Sequence, residues 1–110
     1  MDFVESNVIL RIVKPYVQAR NHIYTGKVLA KDDRFVLVDG CVFHFGRPSA
    51  EDPTGGLTIS KRARRWVPIE RIQYLRELPA GVDPFQPHLF RITADGNITS
   101  SDVRPDLLPE

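Results

Sequence analysis

Cysteine is almost absent from this sequence. Cys41 stands alone, which excludes an internal disulfide and any metal centre built mainly from thiolates. Charge of one sign is also lacking: 15 Lys and Arg face 14 Asp and Glu, so the chain has no global basic character to announce a nucleic-acid binder. No apolar run approaches the roughly 20 residues that cross a bilayer as a helix. The first residues, MDFVESNVILRIVKP, lack the basic start and apolar core of a secretory signal. Together these absences predict a soluble, cytoplasmic protein without membrane partners. What is present is ordinary for a globular domain, with 42% hydrophobic and 26% charged residues. A chain of 110 residues supports one modest core.

Helical periodicity is missing as well. No segment before Pro79 repeats apolar residues at 3.6-residue spacing over ten positions. Short β-rich runs take its place. Asn7–Val13 is rich in β-branched residues and closes at Pro15, and His22–Ala30 alternates with Gly26 as its weak point, where a bend or bulge fits. Phe35–Val38 and Cys41–Phe45 flank Asp39-Gly40, forming either a hairpin or one long strand broken by a bulge. Residues 46–56 (GRPSAEDPTGG) read as a loop. Arg65–Val67 is extended before Pro68. Ile69–Arg71 is a single turn, and Ile72–Leu75 is the last strand of the body. The expectation is all-β, a small closed five-stranded barrel over residues 1–78. Five of the nine prolines fall after residue 78, so residues 79–110 read as a C-terminal extension. It holds a small hairpin around Ala94-Asp95-Gly96, flanked by linker and a loose end.

Neutrality hides an asymmetry. Residues 61–76 carry Lys61, Arg62, Arg64, Arg65, Arg71 and Arg76 against Glu70, whereas residues 77–110 carry six acidic groups against Arg91 and Arg104. In KRARRW four cations within six residues add their fields, with the arginine fork suited to phosphate and Trp66 placed to stack on a base. Strand alternation sets Arg64 and Trp66 on one face and Arg65 and Val67 on the other. The acidic extension also offers an intramolecular cover for this patch.

The run YTGKVLAKDDRFVLVDG (residues 24–40) resembles the first signature of the Sm-like family, which includes Sm, LSm and bacterial Hfq proteins. Gly26 is followed six residues on by Asp32, then by the apolar strand Phe35–Val38. RRWVPIERIQYL (residues 64–75) is similar to the second signature, and a loop of variable length separates the two. The resemblance spans residues 7–76 and implies an SH3-type barrel that joins copies of itself into a homo-oligomeric ring and binds RNA without catalysis. It implies RNA contacts at Asp32, Arg34 and Phe35 in the loop before the third strand, alongside Lys61, Arg62, Arg64 and Arg65. It further implies a subunit interface at Trp66, Val67, Ile72 and Tyr74. Asp33, Arg34, Phe35 and Val36 follow Asp32, so the family's uracil-reading amide is missing and base-specific recognition does not carry over. The alternative is a protein-interaction or scaffold module on the same barrel.

Catalysis finds no constellation. His22, His44 and His88 lack metal-ligand spacing, and His44 shares a strand face with Val42. Cys41 and His44 are not a dyad by proximity in sequence. Asp32-Asp33 is explained by turn chemistry, and Gly55-Gly56 lacks the lysine and helix of a phosphate loop. The sequence implies no enzyme, no metal and no cofactor.

Overall fold

The computed structural model describes residues 3–15, 19–93 and 96–100. The all-β expectation holds: about half of the described residues lie in strands, and the only helical pieces among them are two three-residue 3-10 turns. The strands are β1 (Asn7–Ile12), β2 (Asn21–Lys31), β3 (Phe35–Phe45), β4 (Thr58–Ile59), β5 (Ala63–Pro68), β6 (Ile72–Glu77), β7 (Phe90–Ile92) and β8 (Ile98–Ser100). Six form one antiparallel sheet in the order β4-β3-β2-β1-β6. The remaining edge of β3 carries β5 along Phe35–Gly40 and β4 along Phe43 and His44. β7 and β8 form a separate hairpin.

The expected closed barrel of five strands is not found. Among the described residues no ladder joins β5 to β6, because the 3-10 turn Ile69–Arg71 carries the chain from the β3 edge to the β1 edge. Side chains fill that side instead. Val8 and Leu10 of β1, Val28, Val36, Val38 and Val67 form an inner core, with Ile69, Ile72 and Leu75 packed against it.

Asp39-Gly40 is neither a hairpin turn nor a bulge; β3 runs straight through it, and Gly40 pairs directly with Gly26 of β2. The two backbones approach so closely there that a Cβ on Gly40 would lie 2.0 Å from the Thr25 carbonyl oxygen. One on Gly26 would lie 2.3 Å from the Asp39 carbonyl oxygen. Only paired glycines permit that approach. The register irregularity falls a little further on, between Val28 and Ala30.

The second face of the sheet is covered too, which explains the unbroken apolar run Val8-Ile9-Leu10. Ile9, Ile23, Phe43 and Phe45 pack with Val82, Phe90 and Ile98 in a second core. The described part of the C-terminal extension is therefore packed rather than linker-like, and Pro84 is fully buried. Polar ties fix it. Thr25 Oγ1 donates to the Pro84 carbonyl (2.9 Å), and the Tyr74 hydroxyl donates to Asn97 Oδ1 (2.7 Å). Arg11, 8% exposed, donates to the Gly96 carbonyl (2.6 Å), Asn97 Oδ1 (2.9 Å) and Asn21 Oδ1. The turn residues Ala94 and Asp95, and residues 101–110 with the end of the acidic tail, lie outside the described residues.

Candidate nucleic-acid interface

The β2–β3 turn is built by Asp32. Its Oδ1 accepts the N–H groups of Arg34 and Phe35, both at 2.8 Å, and these bonds hold the carboxyl below its usual range. Asp32 thus acts as a turn organiser, the role aspartate plays wherever its carboxylate satisfies backbone donors two and three residues on. The Ile69 N–H donates to the Arg34 carbonyl at 2.8 Å, which brings the 3-10 turn against this loop. A cleft of about 560 Å³ opens between them, lined by Asp33, Arg34, Phe35, Pro68, Ile69 and Glu70.

Beside the cleft stands an aromatic pair. Phe35 on β3 and Trp66 on β5 meet edge to face, with centroids 6.4 Å apart at 83°. They remain 37% and 55% exposed, Trp66 being the most exposed of the large hydrophobic residues described. Alternation on β5 puts Arg64 on the same face as Trp66 and sends Val67 into the inner core.

The four cations of the basic run separate into two kinds. Arg62 forks onto Asp39, with Nε to Oδ1 at 3.1 Å and Nη2 to Oδ2 at 2.8 Å, and its guanidinium lies 3.7 Å from the Phe85 ring centroid. That pairing lowers the Asp39 carboxyl and raises the Arg62 guanidinium. Arg65 Nη1 donates to the Gly40 carbonyl at 3.2 Å. Lys61 and Arg64 are exposed, as is Arg34. The exposed group that the structure brings together is therefore Arg34, Phe35, Arg64 and Trp66, with Lys61 just outside β5.

The residues expected at a subunit interface are dispersed. Trp66 faces solvent and Val67 is buried, while Ile72 packs on the inner core and Tyr74 on the second. The outer edges of β5 and β6 have no strand partner among the described residues.

Sequence reasoning missed two contacts. Phe85 as the platform for Arg62 requires the extension to fold back, which no local signal announces. His22 and His44 are direct cross-strand partners with rings 4.3 Å apart, a juxtaposition readable only once the β2–β3 register is known. Cys41 is buried and burial raises its thiol, the opposite of an activated nucleophile. Among the described residues no group of three or more His, Cys, Asp or Glu is placed to hold a metal, and no helix is long and apolar enough to cross a membrane. Comparison with protein-family models, with curated proteins and with solved structures gives no match.

Proposed function

We propose that this chain is a non-catalytic RNA-binding module, an open SH3-type barrel of the Sm-like kind that works as a homo-oligomeric ring. The observation that carries the reading is the exposed Phe35–Trp66 pair, with Arg64 on the same face of β5 and Arg34 in the turn that precedes Phe35. An exposed ring offers a stacking platform worth about 1–3 kcal/mol per base, and guanidinium groups beside it hold phosphates. The strand order supports the barrel: β1 to β3 and β5 follow one another, a 3-10 turn intervenes, and β6 returns to β1. The open edges of β5 and β6 support the ring, since one copy's β5 edge pairing with the next copy's β6 edge satisfies both sets of backbone groups. Repeating Lys61, Arg34 and Arg64 around a ring supplies by avidity what one neutral subunit lacks.

Trp66 is the sole tryptophan, so its fluorescence reports on the site directly. Light scattering on a sizing column, with absorbance at 260 and 280 nm, is expected to give a multiple of 12.5 kDa. Titration with single-stranded RNA then quenches Trp66, with affinity falling as salt rises at a slope of about −0.7 per phosphate neutralised. A monomer whose Trp66 emission ignores RNA at low salt refutes the reading. The second reading, a protein-interaction module, is favoured by the internal engagement of Arg62 and Arg65, which leaves fewer free cations than the sequence suggests. It predicts no salt-dependent RNA binding and loss of partner capture when the β6 edge is disrupted.

A further inference from the structure

Away from the aromatic face, near the start of β2 and the end of β3, lies a cavity of about 310 Å³. His22 and His44 line it as cross-strand neighbours, Arg20 enters from the loop before β2, and Arg71 enters from the 3-10 turn. Ile12 and Pro15 contribute apolar wall, and no carboxylate is among the lining residues. Arg20 is held in place, its Nη2 donating to the Gly56 carbonyl at 2.7 Å and the His44 carbonyl at 3.2 Å, and its Nε and Nη1 make no hydrogen bond among the described residues. Neither Arg20 nor Arg71 forms an ion pair with a described residue.

We propose that this cavity is a binding site for a phosphate monoester, in which Arg20, Arg71, His22 and His44 converge on the phosphoryl group and the apolar wall receives its organic substituent. Two guanidinium groups and two imidazoles suit a dianion better than a carboxylate, which carries one charge on two oxygens and is matched by a single arginine fork. A monoester dianion brings three acceptor oxygens and up to two charges. A divalent cation is disfavoured by the flanking arginines and by the lack of a third ligand. The volume lies at the low end of small-molecule sites, larger than bare phosphate requires.

Protonation is coupled to this binding. Burial, then His44 and Arg20, lower the His22 imidazole, and burial and Arg20 lower His44. The groups facing the pair are Arg20 and Arg71 on their respective sides and the two imidazoles themselves. Both rings are therefore neutral in the empty site near pH 7. An arriving anion offsets the repulsion and one imidazole takes up a proton.

The test is a titration with uridine monophosphate, following the imidazole ¹⁵N signals of all three histidines and the proton uptake by calorimetry in two buffers. His22 and His44 are expected to move together while His88 stays still. Affinity is expected to tighten by up to about tenfold between about pH 7.5 and 6.5, the limit for one proton. Arg71→Gln removes a guanidinium that makes no hydrogen bond within the described residues, so it should weaken binding at least tenfold with an unchanged melting curve. Binding of acetate as tight as the monoester, displacement of the monoester by zinc ions, or shifts that spare His22 and His44 would each overturn the assignment. A 5′-phosphorylated RNA oligomer compared with its 5′-hydroxyl counterpart separates the sources of the phosphoryl group. A response to the phosphorylated oligomer alone marks an RNA end as the occupant, and a response to the free nucleotide marks a mononucleotide.

Discussion

Substituting Gly40 by alanine puts the close approach of β2 and β3 to a quantitative test. The added Cβ would sit 2.0 Å from the Thr25 carbonyl oxygen and 2.6 Å from the Gly26 Cα, both backbone atoms that no rotamer change can move. Ordinary contact begins near 3.4 Å, so β2 and β3 must part by more than 1 Å in the middle of the longest ladder of the protein. Overpacking of this kind costs about 1–3 kcal/mol, and stretching the two adjoining hydrogen bonds adds about 1 kcal/mol each. The sum, about 3–5 kcal/mol, is a large share of the 5–15 kcal/mol that holds a typical domain together. It corresponds to a fall in Tm of at least about 12 °C for a chain of this length. Urea and thermal melts followed by far-ultraviolet circular dichroism measure it. Gly46→Ala is the control: its Cβ would meet the Gly55 carbonyl oxygen at 3.4 Å and Arg20 Nη1 at 3.6 Å, so the change should stay within about 1 kcal/mol. A Gly40→Ala protein within about 1 kcal/mol of the parent would refute the claim that close backbone approach requires this glycine pair.

Arg11→Met keeps the side-chain bulk but leaves the Gly96 carbonyl and Asn21 Oδ1 without the Arg11 donor and Asn97 Oδ1 with Tyr74 but no Arg11, at about 3 kcal/mol; hydrogen exchange should show β7 and β8 losing protection before the main sheet. The depressed imidazoles of His22 and His44 set the acid limb of stability. Protonation favours the unfolded chain, so their contribution is complete above the unfolded value of about 6.5 and is lost as pH falls below it. A double His22→Gln, His44→Gln variant should flatten the dependence of the urea midpoint on pH between about 7 and 5. Cys41, buried with its thiol raised, should react with iodoacetamide at least about tenfold slower than in the urea-unfolded chain, and equal rates would contradict its burial.

Local chemistry made the strands and the 3-10 turn legible, because β-branched runs and the Val67-Pro68-Ile69 step act on their own neighbours. Partner-dependent features were not. Asp39-Gly40 carries a hairpin signal, yet β3 runs on through Gly40, which closes against Gly26 on the neighbouring strand, a fact held in the register rather than in either dipeptide. Arg11 interrupts a run rich in β-branched residues; its burial depends on a hairpin more than 80 residues away. The basic run was visible as four equal cations. Asp39 and the Gly40 carbonyl then engage two of them, and both acceptors belong to β3.

The C-terminal segment decides which part of the second sheet face remains available. By alternation Phe35, Leu37, Phe43 and Phe45 all project to that face of β3. Phe43 and Phe45 lie beyond the Gly26–Gly40 pair and are sealed beneath Val82, Phe90 and Ile98, whereas Phe35 lies before it and stays open beside Trp66. The boundary runs through Asp39. Its carboxylate takes the Arg62 fork while Phe85 from the C-terminal segment receives the flat face of the same guanidinium. One arginine of the basic run is thereby committed to closing the edge of the second core. Its neighbour Arg64, two residues on and within β5, shares the strand face of Trp66. The division of the cations and the division of the sheet face thus have a common cause: the fold-back of the described C-terminal residues ends where the usable surface begins.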